Sequence, residues 1–254
     1  MRHNGLKQLA SQRTTAINAW LSSDSGYVAE VLGHCGFDAV TVDLQHGQFG
    51  IDAVPRLLQA ISATPAMPWV RCSGNDMAEL NKLLDMGAYG VICPMIETVE
   101  QARQLVSATR YAPLGRRSFG PARGLLYGGS DYLAHANEEV LVLAMIETQD
   151  GLKNAEDILQ VPGLDGIYIG PNDLALSLGI SPATPWQESV LADHIHDLLE
   201  LCQRYEKYSG IFCGDLAMAH AMQSAGASLV TPGNDTQLMR SEAMQRIQML
   251  REAS

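Results

Sequence analysis

Short apolar runs ending in polar residues recur along the chain. Leu141–Ile146 is followed by Glu147, and Gly166–Ile169 leads into Gly170-Pro171-Asn172-Asp173. Runs of this length, bounded by Gly, Pro and Asp, predict strands buried on both faces, as in parallel sheets. Six more strands are predicted: Thr15–Trp20, Phe37–Val42, Trp69–Val70, Gly90–Cys93, Ser209–Phe212 and Ser228–Val230. Between them, helical spacing predicts helices at Gly26–Cys35 (with Val28, Val31 and Leu32 on one face), Ile51–Ile61, Asp76–Met86 and Thr98–Thr109. A long helix is predicted over Trp186–Tyr208, and an amphipathic one from Asp235 to about Glu252. The segment Arg110–Glu139 holds five Gly and two Pro and is predicted as a long functional loop or a holder of short helices.

Strand and helix alternate about eight times. This predicts an α/β fold, a (β/α)8 barrel forming one domain over residues 1–254, with an open doubly wound sheet as the alternative. No GxGxxG follows the first strand, so a dinucleotide-binding sheet is unsupported. In a barrel, Asp43, His46, Arg71, Glu147 and Asp173 then share the rim at the C-terminal strand ends, where active sites of this fold lie.

Glu147 and Asp173 are 26 residues apart, which fits one strand–helix–strand unit and sets them on neighbouring strands. Two carboxylates at one mouth suit an oxygen-ligated Mg or Mn ion. Helix capping would account for Asp173 and, less well, for Glu147. Arg71 keeps its charge and is placed to hold an anionic oxygen, or else to close the rim by a salt bridge. His46 is placed as the acid–base group, or else as a loop histidine binding backbone. Metal plus arginine around a developing enolate oxygen stabilises a carbanion next to a carbonyl. The helix after Gly170-Pro171-Asn172-Asp173 offers free N–H groups to a substrate carboxylate. None of the four lysines (7, 82, 153, 207) directly follows a strand, which disfavours Schiff-base chemistry and leaves only Lys153 as a candidate for it.

Composition narrows the partners. A net charge of −11 argues against nucleic acid and anionic membrane. No apolar run reaches the ~20 residues of a membrane span, and Met1–Gly5 opens no signal peptide. The five cysteines form no CxxC pair, and reduced thiols in a cytoplasmic protein are expected.

The set AINAWLSSDSGYVAEVLGHCGFDAVTVDLQHG, VRC, LLDMGAYGVICPMIET, RYAPLGRRSFGPARG, AMIET and GLDGIYIGPNDLALSLG resembles the HpcH/HpaI aldolase family over nearly the whole chain. The resemblance implies a metal-dependent aldolase cleaving a 4-hydroxy-2-oxo acid reversibly to pyruvate, or a close 2-oxo acid, and an aldehyde, with oxaloacetate decarboxylation as a side activity. It implies a divalent ion (Mg2+, Mn2+ or Co2+) on Glu147 and Asp173, chelated by pyruvate. It also implies Arg71 on the enolate, His46 working through a water, and backbone amides of Gly170 to Asn172 on the pyruvate carboxylate. The chain departs from the family pattern at Leu44, Gln45, Met145 and Asn172. The aspartate orienting His46 is either Asp43 or Asp85. Asp85 matches the family position but lies at a helix C-terminus, where the macrodipole disfavours acid. That end faces the opposite rim, so Asp85 would reach His46 only from a neighbouring subunit of a homo-oligomer, as the family's hexamers suggest. A citramalyl-CoA-type acyl-CoA lyase is the alternative. It would need a basic groove, for which Arg110, Arg116, Arg117 and Arg123 are candidates; these also suggest an anionic substrate tail. A barrel that has lost catalysis is the remaining alternative.

Overall fold

The computed structural model describes residues 1–181 and 183–252. Eight parallel strands close into a barrel in sequence order. They are β1 (Ala16–Leu21), β2 (Ala39–Asp43), β3 (Met67–Arg71), β4 (Gly90–Cys93), β5 (Leu141–Ile146), β6 (Gly166–Ile169), β7 (Tyr208–Phe212) and β8 (Leu229–Thr231). The expected (β/α)8 architecture is therefore the observed one. No helix among the described residues is long and apolar enough to cross a membrane.

The strands β2 to β6 are buried at every position, because side chains pointing outward meet helices and those pointing inward fill the barrel. The outer layer is aliphatic: Val40, Val42, Leu57, Leu58, Ile61, Leu83, Leu84, Val91 and Ile158 form one continuous cluster. The interior is more aromatic, with Trp20, Trp69 and Tyr168. It also carries a polar chain. The Asn18 side-chain amide hydrogen-bonds Thr41 Oγ1 at 3.0 Å and Thr231 Oγ1 at 2.9 Å, and the Tyr168 hydroxyl lies 2.7 Å from the Thr231 oxygen.

Several elements depart from the sequence-based expectation. The long helix predicted over Trp186–Tyr208 is a 3-10 turn at Trp186–Glu188 and a helix over Val190–Arg204. Tyr208 instead opens β7, because Glu206 takes a φ of 52° and breaks the helical path. Asp43 and Arg71 are the last residues of their strands rather than the first residues after them. The Arg110–Glu139 segment, by contrast, holds short helices as expected, Ala122–Gly128 and Tyr132–Glu139. Val31 is 44% exposed, while Ala29 and Leu32 bury that helix. An N-terminal helix, Gly5–Ser11, carried too little periodicity to be predicted.

The C-terminal helix Asp235–Glu252 stands apart from the rest of the outer layer. Of its 18 residues only Asp235 is buried. Ile17 of β1 is correspondingly left 41% exposed. No cysteine is in a disulfide, and Cys72, Cys93, Cys202 and Cys213 are buried.

Candidate active site

Parallel pairing sets the strand ends side by side. Asp43 pairs with Arg71 across β2 and β3, and Ile146 pairs with Ile169 across β5 and β6. The residues that follow, Glu147 and Gly170, are therefore neighbours at the same rim. A cleft of about 380 Å3 opens there, and Asp43, His46, Arg71, Gly170, Pro171, Asn172 and Asp173 all line it. Glu147, 2% exposed, is not itself part of the lining but packs against Gly170, which is. A Cβ on Gly170 would sit 2.6 Å from Glu147 Oε2 and 2.7 Å from Met145 Cε, so any side chain here would have to displace the ends of both.

Glu147 is not a helix cap. Thr148 caps the next helix, accepting from Gly151 N at 3.1 Å. Glu147 Oε1 instead accepts from Met95 N at 2.8 Å. Met95 has a φ of 57°, a left-handed conformation uncommon outside glycine, and this turn after β4 aims its amide at the carboxylate. Burial pushes the Glu147 carboxyl above the ordinary range; the Met95 amide opposes this, the Asp173 charge reinforces it, and Arg71 offsets it in part. Among the described residues no Lys, Arg or His forms a salt bridge with Glu147 or Asp173. Asp173 is exposed in the first turn of the helix Pro171–Ser177 and makes no capping hydrogen bond. A buried carboxylate within electrostatic reach of a second carboxylate, and salt-bridged to no cation, is a pair of oxygen donors of the kind a divalent ion takes.

Arg71 is 7% exposed, and its partner is Asp43: Nε donates to Oδ1 at 2.8 Å and Nη2 to Oδ2 at 2.7 Å. The salt-bridge alternative is thus realised, yet Nη1 makes no hydrogen bond among the described residues and remains available to a ligand. Trp20 completes the arrangement. Its Nε1 donates to Asp43 Oδ2 at 3.0 Å, and the guanidinium carbon of Arg71 lies 4.8 Å from its ring centroid. Burial works to raise the Asp43 carboxyl, but the hydrogen bonds and charge of Arg71, with Trp20 and the His46 amide, bring it below its usual value.

His46 is exposed at the cleft edge, and its imidazole makes no hydrogen bond among the described residues. Asp43 reaches only its backbone N, at 3.3 Å. Asp43 is therefore not the orienting partner of the ring within the protomer; its oxygens are committed to Arg71, Trp20 and backbone. Asp85 is not brought to His46 either. It ends the helix Met77–Asp85 at the rim where β4 begins, and Arg117 Nη2 donates to its Oδ1 at 2.9 Å.

The arginines of the Arg110–Glu139 segment make no basic groove at the mouth. Arg110 is buried against Asp165 and the carbonyls of Gly163 and Val140. Arg117 is held by Asp85 and Tyr132, and Arg123 donates to Met86 O. No lysine lines the cleft among the described residues, and Lys153 is exposed at a helix end.

Trp20 and Met95 were not singled out in the sequence. An aromatic at a strand end signals a rim position, which made Trp20 findable. The Met95 amide depends on a backbone turn that no residue type announces.

The HpcH/HpaI aldolase/citrate lyase family model matches residues 17–241. A hydroxypyruvate/pyruvate aldolase of Rhizorhabdus wittichii is 40% identical, over 96% of this chain and 97% of that one. A 2-keto-3-deoxy-L-rhamnonate aldolase of Salmonella typhi is 35% identical, over 98% and 93%. The crystal structure of an HpcH/HpaI aldolase/citrate lyase family protein from Burkholderia cenocepacia J2315 superposes with a TM-score of 0.90 at 31% identity, covering 98% of this chain and 99% of that one. With the family match spanning most of the barrel and relatives of this identity aligned nearly end to end, the chain belongs to the HpcH/HpaI aldolase/citrate lyase family.

Proposed function

We propose that the protein is a divalent-metal-dependent aldolase that reversibly cleaves a 4-hydroxy-2-oxo acid to pyruvate, or a close 2-oxo acid, and an aldehyde. The observation that carries this reading is Glu147: a buried carboxylate that feels the charge of Asp173 and forms no salt bridge among the described residues, following β5 at the rim that also presents Arg71 and His46. The aldolase relatives support the reaction class.

Glu147 and Asp173 hold the ion, which when bound supplies a Lewis acid for the keto oxygen of the substrate. The residues of the chain do the rest. Of the amides expected here, Pro171 has no N–H and Gly170 N donates to Ile146 O at 3.2 Å, so the N–H groups of Asn172 and Asp173 in the first turn of the helix Pro171–Ser177 receive the substrate carboxylate. Arg71, fixed by Asp43 and Trp20, offers Nη1 to the oxygen on which negative charge grows as the C3–C4 bond breaks. His46, at the solvent edge, takes the proton of the 4-hydroxyl through a water and returns one in the synthetic direction. C3 of the enolate then takes that proton back from His46 through the water, giving pyruvate and leaving the imidazole as it began. Oxaloacetate decarboxylation passes through the same enolate.

The working assembly is a homo-oligomer, a hexamer in this reading, in which Asp85 of a neighbouring subunit orients His46. Asp85 Oδ2 is without a hydrogen bond among the described residues and is available for that contact.

The test is pyruvate release from 4-hydroxy-2-oxo acids. EDTA abolishes it, added Mg2+ or Mn2+ restores it, and borohydride traps no adduct. Metal-independent release with a trapped lysine adduct would refute the proposal.

A further inference from the structure

We infer that the part of the cleft beyond Arg71, where Trp20 and Phe212 meet Ser22, Gln48, Asn234 and Thr236, takes a neutral hydroxyaldehyde and rejects an aldehyde bearing a carboxylate. This rests on the aldolase reading and concerns its second substrate.

The wall is aromatic. Trp20 and Phe212 meet edge to face, their centroids 5.6 Å apart at 82°. The other four residues are polar and uncharged, and all line the same cleft. Their hydrogen-bonding capacity is only partly used. Asn234 Oδ1 accepts from Thr236 Oγ1 at 2.9 Å and from Gln237 N at 2.8 Å. Its Nδ2 donates to nothing among the described residues, and neither does the Ser22 hydroxyl. The backbone beneath is fixed, since buried Asp235 accepts from Ser22 N at 2.9 Å and Ser23 N at 3.1 Å. Unused donors and acceptors beside an aromatic wall suit a short hydroxylated carbon chain.

The charges point the same way. Among the described residues Arg71 is the only Lys or Arg lining the cleft, and Asp43 already neutralises it. Asp173, which also lines the cleft, is anionic. A carboxylate on the aldehyde would lose water with no cation to meet it, which costs far more than burying a hydroxyl that finds a partner. Of the basic residues that suggest an anionic tail in the sequence, Arg110, Arg117 and Arg123 are committed to carbonyls and acids away from this cleft, and Arg116 is exposed but does not line it. Sites with unpaired polar groups discriminate strongly against a substrate lacking the matching group.

The experiment compares kcat/KM for aldol addition of pyruvate to glycolaldehyde, acetaldehyde, succinic semialdehyde and its uncharged methyl ester. Deuterium exchange into the pyruvate methyl group is followed in parallel. Glycolaldehyde is expected to exceed both acetaldehyde and succinic semialdehyde by at least about tenfold, one hydrogen bond's worth of discrimination. The methyl ester is expected to exceed its parent acid. Asn234→Leu should remove most of the preference for glycolaldehyde over acetaldehyde, and Thr236→Lys should raise succinic semialdehyde relative to its ester. Methyl exchange accompanied by equal or better use of succinic semialdehyde would overturn the assignment of the acceptor alone. Absence of exchange in the metal-loaded enzyme would overturn the enolate reading and this inference with it.

Discussion

Asp43 grips Arg71 through two nearly equal hydrogen bonds, 2.8 and 2.7 Å long, between residues paired in register at the ends of adjacent strands. Both side chains are buried. The fork therefore fixes the guanidinium plane before any ligand arrives, and the free Nη1 inherits that fixed direction.

Replacing Asp43 by Asn leaves a buried guanidinium without its counter-charge. The expected destabilisation is about 3–5 kcal/mol, read by urea unfolding, together with a fall in kcat/KM for pyruvate release. The pH dependence carries the same signature. Since Arg71 and Trp20 hold the Asp43 carboxyl below the ordinary aspartate value, its contribution to stability is complete above that ordinary value and is lost as pH falls through the lower value in the fold. In Asp43→Asn that acid-limb loss should disappear. Unchanged unfolding in the variant would show that the fork contributes nothing.

Trp20→Phe tests positioning separately from charge. The ring over Arg71 stays, while the N–H to Asp43 Oδ2 is removed. A hydrogen bond to a charged group contributes about 1.5–3 kcal/mol, so stability should fall by that order. Because the loss loosens Arg71 rather than removing it, kcat should drop more than KM rises. An effect confined to KM would place Trp20 in substrate contact only.

The barrel was legible because its strands are short apolar runs punctuated by polar rim residues, and β5 with Glu147 and β6 with Gly170–Asp173 show this most plainly. The gathering of Asp43, His46, Arg71, Glu147 and Asp173 at one rim follows from strand polarity alone, so the sequence carried it. What it did not carry was who binds whom. Asp43 was a candidate partner for His46, yet its oxygens go to Arg71 and Trp20, because in-register pairing of β2 and β3 puts Arg71 closer than the imidazole. The arginines of the Arg110–Glu139 segment read as a groove, since a linear sequence does not distinguish an arginine satisfied by carbonyls from one facing solvent. Tyr208 was read as helical because the break at Glu206 is a backbone conformation adopted by a residue with no turn preference of its own.

Glu147 links pH to metal. Its carboxyl is raised above 4.5 by burial and by Asp173. In the metal-free fold its charge is therefore a liability above that raised value, relieved as pH falls through it, whereas metal binding needs the charged form. Metal affinity, measured by calorimetry, should weaken as pH approaches the raised value from above. Glu147→Gln should weaken affinity beyond the roughly 10–100-fold expected for residues that only support a ligand, flatten this pH dependence and make the metal-free protein more stable at neutral pH. A variant that binds metal as the parent does would remove Glu147 from the site.

The C-terminal helix bears Leu238, Met239, Met244, Ile247, Met249 and Leu250, all exposed, with Leu250 at 73%. In a closed barrel the helix after β8 is expected to cover the outer face between β8 and β1, yet Ile17 of β1 is left 41% exposed. Exposed apolar residues on this helix, with Ile17 exposed on β1, are what the proposed homo-oligomer would cover. Ile247→Asp combined with Leu250→Asp is therefore expected to shift the particle to a smaller mass by light scattering. If Asp85 of a neighbour orients His46, the same variant should lose activity in step with assembly and shift the pH profile of kcat. Asp85→Asn should reproduce that pH shift in the intact oligomer. A dispersed variant with full activity and an unmoved pH profile would confine the site to a single chain.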